Sequence, residues 1–178
     1  MEKFFPATNS QKIIWFLIDA PRKTFLESEI KKETSLSKAG VNFALKDLKR
    51  EKLVLRKKIG KTYLYSSDIS SPFVKQLKIL KNELSLDALV NKIIPLAGKI
   101  ILFGSAARGE NDETSDFDLF ILTNNKEAVA AALAKSRLKL QPIIKNQVEY
   151  VQLEKHDRIF INEVERGVIL YDEKFSIR

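Results

Sequence analysis

Apolar positions divide the chain into helical, extended and again helical stretches. From Ser10 to Ala20, Ile13, Ile14, Leu17 and Ile18 recur three and four apart, which predicts a helix that Pro21 stops. Phe25 to Glu33 predicts a second short helix with Leu26 and Ile30 turned inward. Thr34 to Ser37 reads as a turn, and Ser37 as the N-cap of a third helix with Val41, Leu45 and Leu48 on one face. Phe43 and Tyr65 are expected to be packing residues. Two runs rich in β-formers follow, Leu53 to Lys57 and Thr62 to Ser66, separated by Lys58-Ile59-Gly60-Lys61, the pattern of a β-hairpin with its glycine in the tip. A serine-rich stretch then meets Pro72, a residue suited to the first turn of a helix, and a domain boundary is expected there.

The expected organisation is therefore a first domain at residues 1–70, a helical connector at 71–94 and a second domain at 95–178. The connector helices, with Phe73, Val74, Leu77, Leu80 and Leu84, are expected to join the domains or to pack a homodimer. Beyond them, Ile100 to Phe103 and Phe117 to Leu122 are apolar runs of strand length, Lys126 to Arg137 a helix, and Leu138 to Ile144 a further strand. Val148 to Glu154 and Arg158 to Arg166 read as amphipathic helices, and Val168 to Tyr171 as a closing strand after Gly167.

Composition removes several chemistries. The 178 residues include no Cys and one His. A disulfide framework, a zinc finger, an iron–sulfur cluster and a cysteine nucleophile all need sulfur, so none is available. His156 alone cannot build a multi-histidine metal site, and between Lys155 and Asp157 it reads as a surface residue. Any catalysis is expected to use carboxylates, hydroxyls, Arg or Lys. Apolar runs such as Ile13–Ile18 fall far short of the roughly 18 residues a bilayer crossing needs, and the first ten residues lack the apolar core of an export signal. A soluble, cytoplasmic protein without membrane association is expected.

The net charge of +8 is unevenly spread. Residues 1–70 hold 15 basic and 8 acidic side chains, whereas residues 71–178 hold 16 and 15. Within the first segment, Lys46, Lys49, Arg50, Lys52, Arg56, Lys57, Lys58 and Lys61 meet only Asp47 and Glu51. Such a patch suits a polyanion if the fold gathers it on one surface. Lysines at a helix C-terminus are also favourable through the helix dipole, and lysine-rich hairpins protect edge strands from pairing.

Three helices followed by a hairpin, over about residues 8 to 68, resemble the winged helix-turn-helix family, with LSKAGVNFALKDLKREKLVLRKKIGKTYLYSSD similar to its recognition helix and wing. The resemblance implies that the third helix enters a major groove of double-stranded DNA while the wing lies along the backbone. The outward residues available for DNA are Ser37, Lys38, Asn42 and Lys46 on the helix and Arg56, Lys57, Lys58 and Lys61 on the wing. Asn42 can read an adenine edge; the lysines hold phosphates. Winged helices also serve as protein interaction modules.

The sharpest chemical signal is KIILFGSAARGENDETSDFDLFIL at residues 99–122. Ten residues separate Ser105 from Asp116, and Asp116 and Asp118 stand two apart. On a strand, positions i and i+2 share a face at a spacing of roughly 6.6 Å, so both carboxylates can converge on one cation. Mg²⁺ suits such a pair, because it takes oxygen ligands and keeps room for substrate phosphates. Gly104, having no Cβ, lets a phosphate approach its amide, and Ser105 adds a hydroxyl. Ala106 and Ala107 are expected to begin a helix whose first amides face the same phosphate. Arg108 offers a fork for phosphate oxygens, or a structural pairing with Asp112, Glu113 or Asp116.

This pattern of Gly104-Ser105, Arg108-Gly109 and Ser115-Asp116-Phe117-Asp118 resembles the minimal members of the polymerase-β-like nucleotidyltransferase superfamily, over about residues 85 to 172. The resemblance implies an α/β domain with a mixed sheet, hence an α+β protein when joined to the winged helix. It implies nucleotide binding by Gly104, Ser105, Arg108 and Ser115, and Asp116 and Asp118 as catalytic residues that hold Mg²⁺. The implied reaction moves a nucleoside monophosphate, with AMP from ATP the first expectation, to a protein or small-molecule acceptor. Small relatives that serve as antitoxins act in this way on HEPN-type toxin partners.

One departure stands out. The family's third carboxylate comes from a later strand, where this chain has Gln141. A neutral amide is no base and a poorer metal ligand than a carboxylate. Glu149, eight residues on, is expected to lie beyond the strand. Either the acceptor is activated otherwise, or the protein is a DNA-binding, antitoxin-like regulator whose second domain binds nucleotide or a partner without efficient catalysis.

Overall fold

A computed structural model describes residues 7–175; the first six and last three residues, which belong to the expected terminal domains, lie outside the described residues. The chain divides into two compact units that meet between Lys78 and Ile79.

The first unit runs α1 (Asn9–Leu17), β1 (Phe25–Leu26), α2 (Glu27–Thr34), α3 (Lys38–Arg50), β2 (Val54–Ile59) and β3 (Thr62–Ser67). Thr8 and Gln11 form a capping box at the start of α1, each side chain bonded to the other's amide. The helix stops at Leu17, three residues short of the expected end, and Ile18 caps it. Phe25 and Leu26 are not helical as expected: they pair antiparallel with Tyr65 and Leu64, and α2 begins only at Glu27. Pairing with a distant strand outweighed the local helical pattern there. Ser37 caps α3 as expected, accepting from the Gly40 amide at 3.1 Å. The hairpin closes more tightly than expected, with Ile59 opposite Thr62 and only Gly60 and Lys61 between them. Ile13, Leu17, Ile30, Val41, Leu45 and Leu48 form the core with Val54 and Tyr65.

Phe43 corrects one expectation. It is 67% exposed on α3, while Tyr65 is buried. The positions that bury α3 are Val41, Ala44, Leu45 and Leu48, and residue 43 falls outside that stripe.

A single helix, α4 (Pro72–Ile93), carries the chain from the first unit to the second, where several connector helices were expected. The second unit continues with a 3₁₀ turn (Ile94–Leu96), β4 (Lys99–Phe103), α5 (Gly104–Ala107), β5 (Phe117–Leu122), α6 (Lys126–Leu133), β6 (Leu140–Lys145), α7 (Gln147–His156), α8 (Arg158–Glu165) and β7 (Val168–Asp172). The sheet order is β6-β5-β4-β7, with β5 and β6 parallel and the other pairs antiparallel, so the sheet is mixed as expected. Alternation along the strands sends side chains to two covered faces. Ile100, Leu102, Leu119 and Ile121 pack on Leu86, Leu89, Val90 and Ile93 of α4 and on Val129 and Leu133 of α6. Ile101, Phe103 and Phe120 pack on Val164 and on Tyr150, Leu153 and Phe160. The helix α6 ends at Leu133 rather than Arg137, where the chain turns toward β6. Among the described residues, no helix is long and apolar enough to cross a membrane.

Candidate functional site

Asp118 lies on β5 opposite Phe103, the last residue of β4, so the turn after β4 is held against its carboxylate. That turn is Gly104, with φ +68°, a backbone conformation that favours glycine. A Cβ on Gly104 would collide with the Asp118 carboxylate and lie 3.0 Å from its Cγ. The glycine of the Gly104-Ser105 pair is thus a steric requirement of the carboxylate behind it. The helix expected to start here is the four-residue α5, too short to carry much of a macrodipole.

Asp116 stands one residue before β5 rather than on it. The Phe117 amide bonds to the Lys139 carbonyl at 2.9 Å, so the strand's pairing begins just after the first carboxylate. The two acids still sense one another. The Asp118 carboxyl is pushed above its ordinary range first by burial and then by the negative charges of Asp116 and Glu163, with Arg108 opposing the rise. A pair of carboxylates that repel each other suits a hard divalent cation, and these two side chains would hold it. Among the described residues no cluster of three or more His, Cys, Asp or Glu has the arrangement of a metal site.

Gln141 explains part of that. In the parallel ladder it pairs with Asp118, and paired residues share a face of the sheet. The neighbouring position on β6 is therefore filled by an amide. Glu149 does not replace the missing acid: it caps α7 through the Asn146 amide at 2.9 Å and pairs with Lys126, whose hydrogen bond holds its carboxyl below the usual range.

The loop from Arg108 to Asp116 is ordered by its own polar groups. Asp112 accepts from the Thr114 amide at 3.0 Å, from the Thr114 hydroxyl at 2.6 Å and from the Ser115 hydroxyl at 3.1 Å, and its amide donates to Ser115 Oγ. Ser115, expected at the nucleotide, thus makes its bonds within the loop. The base of the loop is pinned by two buried amides that the sequence did not disclose. Asn82 of α4 donates to the Ala106 carbonyl and to Asn111 Oδ1, both at 2.8 Å, and Asn111 donates back to Asn82 Oδ1 at 3.3 Å. An asparagine breaking the apolar face of α4 was the one available signal.

Arg108 takes partners of its own. Its Nε meets Glu110 at 3.1 Å and its Nη1 meets Glu163 at 3.5 Å. Glu163, forty-five residues from Asp118 and carried by α8, enters the site only through tertiary structure. A cleft of about 500 Å³ opens here, lined by Gly104, Ala107 and Arg108 on one side and by α8 on the other.

In the first unit, the residues singled out for DNA divide between helix and hairpin. Ser37 uses its hydroxyl to cap α3, Lys38 and Lys46 are exposed, and Asn42 is half-buried. The Lys46 ammonium lies 5.8 Å from the Phe43 ring. Arg56 pairs with Tyr65 and Lys58 with Tyr63, on one face of the hairpin; Lys57 pairs with Leu64 on the other, and Lys61 occupies the loop. The Arg56 guanidinium lies 4.3 Å from the centre of the Tyr63 ring. The hairpin's cations therefore do not all share one surface.

No curated protein matches the chain. Among solved structures it is similar to a mutant of ZitR from Lactococcus lactis, at 21% identity over 46% of this chain and 60% of that one, with a TM-score of 0.37. A candidate nucleotidyltransferase from Sulfolobus solfataricus is similar at 20% identity, covering 60% of this chain and 91% of that one, with a TM-score of 0.38. The M. tuberculosis protein Rv0081 is similar at 16% identity, with 52% and 88% covered and a TM-score of 0.38. The chain thus spans 60% of the length of the ZitR chain it matches. The family model described as "Polymerase beta, Nucleotidyltransferase" matches residues 91–176, so this part of the chain is similar to nucleotidyltransferase domains of that type.

Proposed function

We propose that the second unit transfers a nucleoside monophosphate from a nucleoside triphosphate, ATP in the first instance, to a hydroxyl on a protein or small-molecule acceptor. The observation that carries this reading is the Gly104 turn closed against Asp118, with Asp116 adjacent. Asp116 and Asp118 would hold Mg²⁺, which neutralises phosphate charge and lowers the pKa of an attacking hydroxyl. Ser105 and Arg108 would hold the β- and γ-phosphates. The acceptor oxygen bonds to the α-phosphorus, the bridging bond to the β-phosphate breaks, and pyrophosphate leaves with that electron pair while the hydroxyl proton passes to solvent.

A second reading is favoured by Gln141 beside Asp118. Without an acid there, the unit binds nucleotide, or a toxin-like partner, more readily than it turns nucleotide over. In both readings the first unit acts as a winged helix-turn-helix on double-stranded DNA, a role supported by the exposed lysines of α3 and the hairpin.

Incubation of the protein with radiolabelled ATP, Mg²⁺ and lysate separates the two. Transfer of label by the wild type and its loss in Asp116→Ala/Asp118→Ala support the enzyme. Metal-dependent nucleotide binding with no transfer leaves the regulator.

A further inference from the structure

The cleft wall opposite Gly104 belongs to α8, and no role in the expected site covers it. Ile159, Asn162, Glu163 and Arg166 line it. Their spacing of three, one and three residues places them on one helical face, Arg166 continuing the last turn as the C-cap. The opposite face is buried through Ile161 and Val164, so the wall is fixed to the sheet. Its C-terminal end lies tight against β4: a Cβ on Gly167 would collide with the Leu102 carbonyl and stand 2.8 Å from Ile101 Cγ2. Arg166 is thereby anchored beside β4, two strand residues before Gly104.

The two guanidiniums of the cleft differ. Arg108 is occupied by Glu110 and Glu163. Arg166, in contrast, has no ion-pair or hydrogen-bond partner for its guanidinium among the described residues. At the other end of the wall Ile159 is 86% exposed, the most exposed large apolar side chain among the described residues. Residues 159 and 166 are about 10 Å apart along a helix axis. The wall therefore runs from an apolar end to a cationic end, the phosphate turn lying toward the cationic one. That polarity matches a nucleoside triphosphate, which carries a base with apolar ring faces at one end and its anionic charge at the other.

We propose that α8 forms the second wall of the nucleotide site, with Arg166 binding the triphosphate together with Arg108 and Ile159 covering the base or ribose. The inference rests on the nucleotide-binding reading above and adds to it the residues that recognise each end of the ligand. Glu163, between the two ends, holds Arg108 until phosphate oxygens take its place.

The test is displacement of a fluorescent ATP analogue from the full chain, in Mg²⁺, by ATP, AMP and inorganic tripolyphosphate. Arg166→Ala is expected to weaken ATP and tripolyphosphate about tenfold or more, the scale of one charged hydrogen bond, and AMP less than twofold. Arg166→Lys is expected to recover part of that loss. Ile159→Ser is expected to weaken ATP and AMP and to leave tripolyphosphate unchanged. Thermal melts of each variant report whether the fold is kept. Wild-type affinity for all three competitors in Arg166→Ala, or an equal loss for all three in both variants, overturns the inference while leaving nucleotide binding intact. Failure of the wild type to bind the analogue overturns both.

Discussion

In the first unit, Lys38, Lys46, Lys57, Lys58 and Lys61 stand exposed on a helix and a hairpin. In the second, Gly104 stands so close to Asp118 that a single methyl group would not fit. Charges of the first kind act by summation, so that several lysines contribute alike. The second works through a few atoms whose positions are fixed by strand pairing and a left-handed turn. Substitutions should therefore act gradually in the first unit and abruptly in the second.

The sharpest break of that contrast is Gly104→Ala. The positive φ alone costs an alanine about 1–2 kcal/mol, and the clash with Asp118 adds to it. Loss of nucleotide binding is expected together with a lower Tm; a variant that binds nucleotide like the wild type would show that the turn is more forgiving than its geometry. Next comes Asn82→Ala, which leaves the buried Asn111 amide without its partner and should destabilise the protein by about 1–3 kcal/mol in urea unfolding.

Asp118→Asn should act in the opposite direction on stability. The folded-state pKa of Asp118 is raised above the ordinary 3.8, so ionising it disfavours the fold. Its favourable contribution is complete below the unfolded value and is lost as pH rises through the raised folded value. The variant is therefore expected to melt higher than the wild type at neutral pH, and the gain should shrink as pH falls toward 3.8. Mg²⁺ should raise the wild-type Tm and leave that of Asp118→Asn unmoved.

The smallest effects belong to the hairpin. Arg56 and Lys58 occupy one face and Lys57 the other. If one face meets DNA, Lys57→Ala and Lys58→Ala should differ, only one of them reducing the salt dependence of binding by about one unit of log–log slope. Equal effects would mean that the hairpin enters a groove and is contacted on both sides. No gel retardation of any fragment by the wild type at low salt would remove the DNA-binding role.

Much of the fold was legible because apolar periodicity is a local property. The helices around Ile13, Val41 and Ile161 and the strands around Ile101 and Phe120 follow from spacing alone. Phe25-Leu26 was misread because its state depends on Leu64 and Tyr65, about forty residues away. The expectation that Phe43 packs inside failed for a related reason: aromatic character does not say which side of a helix is covered.

The candidate site divides in the same way. Gly104, Ser105, Asp116 and Asp118 were readable because they lie within fifteen residues of one another and their spacing carries the chemistry. The sequence by itself determined that motif, the absence of sulfur chemistry and the basic excess of the first seventy residues, since these depend only on residue types and their order. Tertiary structure alone decided that Gln141 pairs with Asp118, that Asn82 and Asn111 pin the loop, and that Glu163 and Arg166 of α8 face Gly104. Strand register and helix docking bring these residues together across long stretches of chain, and no local pattern encodes a contact whose partners are so far apart.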